Sequence, residues 1–312
     1  MRLEFALGSS SFTPNNDLAE DNPLNPNFGT FTLESMLLAG SSNPYSITGE
    51  TLRFAGNAAI DVLAGPHLIA NAIQIPVALE TNVGGQLELN GNLSGAANVT
   101  KTGGGTLVLD GNNGNWTGDL DIQRGTVRFD PGDALSVNTD VNIAAGATAD
   151  FSPSAEGFGA FSGAGHVEFG NIVDMFSHFT TTETFSGTVA GPDTHLRKQG
   201  PGTLILDGVI AGPAEVTLDR LTLEGGSISL TGTAQLNIDG TLELESGTTL
   251  TASGLLNIST LNDVMVRDTA QLRVRTAVIG PANIVVDQGG TLEVLSGATV
   301  AVDGGSLIVF SA

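Results

Sequence analysis

The sequence contains no cysteine, only two lysines, one tryptophan and one tyrosine. Without cysteine, the chain can form neither a disulfide framework nor a thiolate metal site. It also lacks any run of about 18 apolar residues, the minimum length of a membrane-spanning helix. Aromatic residues make up only 5% of the chain, so its core must be built from Leu, Val, Ile and Ala. The sequence therefore predicts no membrane span and a core of thin aliphatic layers.

Basic residues are scarce as well. The chain has 11 Lys and Arg against 33 Asp and Glu, which gives a formal net charge of −22 at pH 7. Such a surface repels nucleic acids and anionic lipids, so we expect neither as a partner. The 40% share of hydrophobic residues argues against disorder. This composition favours an acidic, folded part of a secreted precursor over a cytoplasmic protein.

A repeat is the strongest positive feature of the chain. Residues 101–110 (KTGGGTLVLD) and residues 198–207 (KQGPGTLILD) are nearly identical. Related strand cores begin at the glycines 85, 105, 125 and 165, at steps of 20, 20 and 40 residues. A unit of about 20 residues cannot bury its apolar face alone and has to stack on its neighbours.

Short runs with apolar residues at every second position occur along most of the chain, and helical spacing is almost absent. Antiparallel sandwiches share this strand density, but the repeat period favours a coil of parallel strands. The sequence thus predicts an all-β, parallel β-helix (β-solenoid) with about 20-residue rungs, in a single domain spanning residues 1–312.

Two segments depart from the pattern and are predicted to be loops or insertions. Residues 13–30 are rich in Pro and Asn, and residues 151–185 hold half of the 14 phenylalanines. These are Phe151, Phe158, Phe161, Phe169, Phe176, Phe179 and Phe185. The phenylalanines either fill a wider stretch of the solenoid, belong to a loop folded back on its side, or form a sticky patch for a partner.

Residues 80–130 resemble the autotransporter-associated β-strand repeat. They contain a Ser-Gly turn, a Lys-x-Gly-x-Gly-Thr-Leu-x-Leu strand, an Asn/Gly turn with an aromatic residue and a Gly-x-Leu-like strand. Residues 190–225 are similar to a less complete copy, without the aromatic residue. The resemblance implies a right-handed parallel β-helix from a secreted bacterial passenger region, and such regions mostly act as stalks, adhesins or surface scaffolds.

The chain carries little of the chemistry that an enzyme needs. Glycoside hydrolysis requires close carboxylates, but the acidic residues are scattered and no Asp-Asp pair occurs. The four histidines lack metal-ligand spacing, and each is predicted to be a turn or surface residue. The Gly- and Asp-rich turns lack the Gly-Gly-x-Gly-x-Asp series of calcium-binding repeats. The sequence therefore predicts no enzyme and no cofactor, with calcium left as an alternative.

The residues of interest are consequently structural. The predicted repeat positions are Lys101, Gly105, Leu107, Leu109, Lys198, Gly202, Leu204 and Leu206. Both ends of the sequence read as strands without a clear cap, and their predicted end-stacking residues are Leu3, Phe5, Leu307 and Val309.

These observations predict a non-enzymatic extracellular structural protein, either a self-stacking fibre subunit or a surface stalk. The expected partner is a second copy in a head-to-tail homopolymer, or the rest of a longer solenoid. The competing function is an adhesin or carbohydrate-binding passenger module that holds a cell-surface glycan or protein through residues 151–185 or 13–30. A polysaccharide lyase or hydrolase is the third alternative.

Overall fold

The computed structural model describes residues 2–5, 30–40, 44–130, 135–152, 157–170, 172–176, 181–190, 195–207, 215–259, 263–280, 283–287, 289–302 and 307–309. The chain divides into two compact units, Met1–Ser154 and Ala155–Ala312. Within the described ranges both units consist of β-strands and turns, without a helix.

The strands of the first unit are short, and most contain two to five residues. They are β1 (Arg2–Phe5), β2 (Thr30–Leu38), β3 (Ser46–Ile47), β4 (Thr51–Val62), β5 (Pro66–Ile69), β6 (Ile73–Gln74), β7 (Leu79–Val83), β8 (Gln86–Leu89), β9 (Leu93–Gly95), β10 (Val99–Thr102), β11 (Thr106–Leu109), β12 (Asn115–Trp116), β13 (Leu120–Ile122), β14 (Thr126–Phe129), β15 (Val141–Ile143) and β16 (Thr148–Phe151).

The second unit begins with similar short strands and continues into longer ones. They are β17 (Gly157–Phe158), β18 (Phe161–Gly163), β19 (His166–Phe169), β20 (Ile172–Phe176), β21 (Thr182–Phe185), β22 (Thr188–Ala190), β23 (His195–Gln199), β24 (Thr203–Asp207), β25 (Glu215–Leu223), β26 (Ser227–Thr231), β27 (Gln235–Leu244), β28 (Thr249–Ile258), β29 (Val264–Val266), β30 (Gln271–Ile279), β31 (Ile284–Val286), β32 (Thr291–Val302) and β33 (Leu307–Val309).

Strands of the first unit pair in parallel with strands one rung away, and apart from β1 with β2 the paired strands, such as β5 with β8 and β8 with β11, are not neighbours in sequence. One column of paired residues runs from His67 through Leu87, Leu107 and Val127 to Ala149, and the residue number rises by a nearly constant step. All five side chains are buried. Parallel pairing at such a step is a β-solenoid. The predicted fold class and the approximate rung length are therefore confirmed.

The second unit repeats this arrangement with slightly longer rungs. Leu204 pairs with Ile228, Ile228 with Leu250, Leu250 with Leu272, and Leu272 with Leu292. The first four of these side chains are at most 1% exposed. Each of them is therefore covered by an aliphatic side chain from the next rung, and fully burying one such side chain contributes roughly 1.5–3 kcal/mol.

Strand alternation places the core inside each coil. Along β27 the burial changes with almost every residue, and Leu236, Ile238, Leu242 and Leu244 are at most 1% exposed. Because side chains of a strand point to opposite faces in turn, the intervening polar residues face outward. The predicted aliphatic layers are thus what the coil is made of.

Of the two segments predicted to be loops or insertions, the structure describes mainly the second. Residues 13–29 lie outside the described residues. In the segment 151–185, five phenylalanines are at most 1% exposed: Phe151, Phe158, Phe161, Phe169 and Phe185. The side chains of Phe176 and Phe179 lie outside the described part. The five described rings belong to the core, as the packing interpretation predicted, and are not available to a partner.

The phenylalanines pack against each other within each unit. In the first unit, Phe151 stacks on Phe129 with ring centroids 4.3 Å apart and planes 3° from parallel. In the second unit, Phe161 meets Phe185 edge to face at 4.9 Å and Phe169 at 6.4 Å. These are favourable aromatic geometries, so aromatic residues replace aliphatic layers in this part of the coil.

Candidate functional site

The two lysines of the chain lie inside the solenoid. Lys101 is on β10 in an inward-facing row, paired with Thr81 on β7 and Ile122 on β13. Its side chain is 0% exposed. Lysine is almost never fully buried unless its ammonium group has partners. The position therefore requires a specific set of acceptors.

Those acceptors are carbonyl oxygens of two successive turns. The Nζ of Lys101 donates to the oxygens of Thr102 at 2.9 Å and Gly103 at 2.8 Å, in the turn between β10 and β11. It also donates to the oxygen of Arg124 at 2.8 Å, in the turn between β13 and β14 one rung further on. An ammonium group has three donors, and all three are used. The side chain thus staples one turn to the next.

Lys198 repeats this geometry in the second unit. It is 0% exposed, between Met175 on β20 and Leu223 on β25. Its Nζ donates to the oxygens of Gln199 at 3.3 Å, Gly200 at 3.2 Å and Gly225 at 3.1 Å. The contacts again join the lysine's own turn to the turn of the following rung.

Burial lowers the pKa of both Lys101 and Lys198 to about 8, because taking the ammonium group out of water disfavours its charged form. A lysine with a lowered pKa is a feature of catalytic nucleophiles and bases. Here the nitrogen is enclosed and its three donors are occupied by backbone carbonyls. The arrangement can hold turns together but does not present the amine to a substrate.

Glycines allow the stapled turns to stack. A Cβ atom built on Gly105 would overlap the carbonyl oxygen of Gly85, and one built on Gly125 would overlap that of Gly105. Gly103 and Gly125 also have φ values of 75° and 71°, a left-handed conformation that disfavours other residues. Gly104, in the same turn, has open space around its Cβ position. The column of Gly85, Gly105 and Gly125 therefore sets how closely successive turns approach.

The remaining predicted repeat positions are core residues. Leu107, Leu109, Leu204 and Leu206 are at most 2% exposed. The carbonyl oxygen of Gly202 accepts a hydrogen bond from the backbone of Ser227 at 3.2 Å in the next rung. The structure thus groups the lysines, glycines and leucines of each repeat around one turn and its following strand.

The predicted end-stacking residues lie on β1 and β33. Leu3 and Phe5 pair through their backbones with Met36 and Leu38, and their side chains lie outside the described part. Leu307 is 56% exposed, whereas the side chain of Val309 lies outside the described part.

Several carboxylates of the outer surface accept hydrogen bonds from asparagine amides of neighbouring rungs. Among the described residues, such hydrogen bonds join Asn82 to Asp61 at 3.2 Å, Asn90 to Asp110 at 2.7 Å, Asn98 to Asp119 at 3.4 Å, Asn142 to Asp121 at 2.8 Å, and Asn283 to Asp263 at 2.9 Å. Among the residues that the structure describes, no three His, Asp or Glu side chains come together as metal ligands. We refer to these Asn–Asp contacts as the amide ladder; each of them occupies one oxygen of its carboxylate.

One open groove of about 610 Å³ lies on the outer surface of the first unit. Its polar side chains include Glu80, Thr100, Thr102 and Gln123, and its small side chains include Ala59 and Ala78. Thr102 donates to the carboxylate of Glu80 at 3.3 Å. The groove is therefore a shallow surface of hydroxyl, amide and carboxylate groups.

The prediction that each histidine lies at a turn or on the surface is wrong for His67. His67 was expected at a turn or on the surface, but it is 2% exposed and lies in the core column next to Leu87. Trp116 is 0% exposed, and its Nε1 donates to the oxygen of Ala97 at 2.8 Å. The indole is therefore part of the core and is not accessible for stacking on a sugar ring.

The burial of the lysines was not anticipated from the sequence, although their positions were. A charged side chain between polar residues normally indicates the surface. The available signal was that the only two lysines of the chain occupy the same position in two repeats.

Comparison with known families agrees with this geometry. The fold and the stapled turns define a repeat protein of the parallel β-solenoid class. The model of the passenger-associated-transport-repeat matches residues 99–129 and 196–210, which include both lysines and both Gly-Thr-Leu-x-Leu strands. This repeat is typical of autotransporter passenger domains, so the predicted resemblance is confirmed.

The other comparisons add no relative. No curated protein and no solved structure matches the chain. In the described ranges, no helix has the length and the apolar character required to cross a membrane.

Proposed function

We propose that this chain is a non-enzymatic extracellular structural protein, a surface stalk or fibre subunit that extends by adding rungs. Its passenger repeats and its β-solenoid fold fit an extracellular passenger role. The observation that carries the proposal is the layer formed by β32 and β33. Val294 is 52% exposed and Leu307 is 56% exposed, whereas their partners one rung earlier, Val274 and Ile284, are each 1% exposed.

This layer offers what a further rung requires. Its apolar side chains continue the buried columns of the preceding rungs, and edge strands present unpaired backbone groups to another chain. Parallel pairing would extend the ladder at about 4.8 Å per rung. The proposed occupant is the β1 end of a second copy, whose contact would be heterologous and would build an open fibre.

The test is negative-stain electron microscopy and sedimentation velocity of the purified chain over a range of concentrations. We expect filaments that lengthen with concentration. Leu307→Lys should shorten them, because it places a charge in the apolar layer. Leu63→Lys is the matched control, since Leu63 is 57% exposed in the first unit and should leave assembly unchanged.

Single particles at every concentration would reject self-assembly and leave the stalk. Equal filaments from wild type and Leu307→Lys would place the contact elsewhere. Both results concern self-assembly alone. They therefore do not test the second candidate function, which is the binding of glycans.

That second candidate is an adhesin that binds neutral glycans, and the groove of the first unit favours it. The groove offers hydrogen-bond donors and acceptors to sugar hydroxyls through Glu80, Thr100, Thr102 and Gln123. Small side chains such as Ala59 and Ala78 line it beside them. The test is calorimetric titration with neutral oligosaccharides. Binding that is lost in Thr100→Arg but kept in Thr148→Arg, which lies on β16 and outside the groove lining, would support it. Absence of binding to the wild type would reject it.

A further inference from the structure

His67 occupies a place in the first unit that other rungs give to an aliphatic residue. Its backbone pairs with that of Leu87, and the same column continues through Leu107 and Val127. The imidazole is 2% exposed. On its other side the ring of Tyr45 stacks on it, with centroids 4.9 Å apart and planes 19° from parallel. A titratable group is thus enclosed in an otherwise apolar column.

Backbone groups fix the protonation state of this imidazole. The backbone N–H of Tyr45 donates to Nδ1 of His67 at 3.1 Å, so Nδ1 must carry a lone pair. Nε2 lies 2.8 Å from the carbonyl oxygen of Ala64, so it must carry the hydrogen. Both contacts are satisfied only by the neutral tautomer, because an imidazolium has a hydrogen on each nitrogen.

The groups that surround His67 do not favour a positive charge. Tyr45, just before β3, is the titratable side chain that faces the ring. On β8 the inward residues are Leu87 and Leu89, and Glu88 points to the opposite side of the strand. Burial lowers the pKa of His67, and this outweighs the opposite effect of the carbonyl groups of Ala64 and Gly40.

We propose that His67 is an acid-sensitive latch that holds the rung of β3 onto β5 and releases it when the imidazole is protonated. Protonation places an N–H at Nδ1, opposite the N–H of Tyr45, and replaces a hydrogen bond by a repulsive contact. It also places a charge in the apolar column. The part that moves is the segment that contains Tyr45 and β3.

The contacts of Tyr45 and β3 show what holds this segment in place. A Cβ atom built on Gly40 would lie 2.9 Å from the Tyr45 ring, so the ring packs directly on the backbone of residue 40. The backbone bonds between this segment and β5 include Leu68 N to Tyr45 O and Ala70 N to Ile47 O, both 2.8 Å. Because β3 has only two residues, its ladder is short, and the burial of Tyr45 and Ile47 is the main remaining contribution that resists opening once the histidine contact is lost.

The direction of the pH dependence follows from linkage. Because the pKa of His67 is lower in the closed state than the ordinary value of 6.5, the open state binds more protons below that value. Closing therefore weakens as pH falls from 6.5 to the lowered pKa, by up to about tenfold for each pH unit, and is then constant.

The experiment is hydrogen–deuterium exchange of the purified chain at about pH 7.5 and about pH 5, corrected for intrinsic rates. We expect peptides covering residues 44–50 to lose protection at the lower pH, by at most about tenfold for each pH unit between 6.5 and the lowered pKa. Peptides covering β27 and β28 are the internal control and should keep their protection. His67→Leu, which copies the residue of the next rung, should abolish the pH dependence at residues 44–50.

A second measurement does not depend on how the variant folds. NMR titration of the His67 imidazole in the wild-type chain should give a midpoint below 6.5 that coincides with the loss of protection at residues 44–50. A midpoint at or above 6.5, unchanged protection in acid, or an equal loss in His67→Leu would each overturn the latch.

Discussion

The lysine staple is the residue-scale feature that most distinguishes this solenoid. An ion inside an aliphatic column is expensive to desolvate, and replacing a buried ion by an apolar residue can be neutral or stabilising. At Lys101 the balance differs, because three carbonyl oxygens of two turns have the ammonium group as their partner. Removing the donor leaves these acceptors buried, and each buried unsatisfied group costs about 1–3 kcal/mol.

We therefore predict that Lys101→Met lowers the free energy of unfolding by about 2 kcal/mol at neutral pH. Methionine keeps the unbranched stem but offers no donor. Ile122→Met, one rung further in the same row, is the matched control and should cost less than about 1.5 kcal/mol. Urea unfolding monitored by circular dichroism gives both values. A Lys101→Met variant as stable as the wild type would show that the ammonium group is not the staple.

Comparing wild type with Lys101→Met at different pH values tests the lowered pKa of the buried amine. Since the pKa of Lys101 is about 8 in the folded chain and 10.5 in the unfolded chain, the unfolded chain binds more protons between these values. The free energy of unfolding contributed by Lys101 therefore rises with pH across this window. We predict that the stability difference between wild type and Lys101→Met grows from about pH 7.5 to about pH 10.

Other groups titrate in that range as well, but they are common to both proteins and cancel in the difference. A difference that stays constant or shrinks as the pH rises would contradict the lowered pKa. Lys198→Met should show the same trend in the second unit, where the carbonyl contacts are longer, at 3.1–3.3 Å.

At the scale of elements, turns determine the spacing of rungs. The strands are short and gain little alone, so each must meet its partner in the next rung at the correct distance. Gly85, Gly105 and Gly125 permit this because their turns approach backbone to backbone. A side chain in this column would force two turns apart and weaken the ladder on both sides.

We predict that Gly105→Ala lowers the free energy of unfolding by at least about 3 kcal/mol, since the backbone it would strike cannot turn aside as a side chain can. Gly104→Ala is the control in the same turn, where the Cβ position is open, and it should change stability by less than about 0.5 kcal/mol. Thermal unfolding of both variants is the measurement. Equal effects would mean that the turn adapts, and that glycine is there only for flexibility.

The strands and the rung length could be predicted from the sequence, but the burial of individual polar side chains could not. The spacing of the Gly-Thr-Leu-x-Leu strands gave the rung length, because a stacked repeat must place equivalent leucines such as Leu87 and Leu107 in one column. The burial of Lys101 could not be foreseen from local pattern, since one of its acceptors is the backbone oxygen of Arg124 in the turn of the next rung. His67 was misplaced because it was considered as an isolated residue, although moving one rung along the repeat leads to Leu87 and to the core.

At the scale of the whole molecule, repulsion between like charges opposes folding in addition to the conformational entropy of the chain. A net charge of −22 repels itself more strongly in the compact state than in the unfolded chain. The amide ladder reduces the local problem, because Asn82, Asn90 and Asn142 each donate to a carboxylate of an adjacent rung. It leaves the long-range repulsion in place, and that part is sensitive to dissolved ions.

We predict that added NaCl stabilises the protein, because raising ionic strength from about 0.01 M to about 0.15 M shortens the Debye length from about 30 Å to about 8 Å. CaCl2 at equal ionic strength should raise the thermal midpoint no more than NaCl does, since described carboxylates such as Asp61 and Asp121 already accept hydrogen bonds from neighbouring amides. A chelator should then have no effect. A midpoint that rises with micromolar calcium and falls with chelator would instead reveal a specific calcium site, and would make the ion part of the fold.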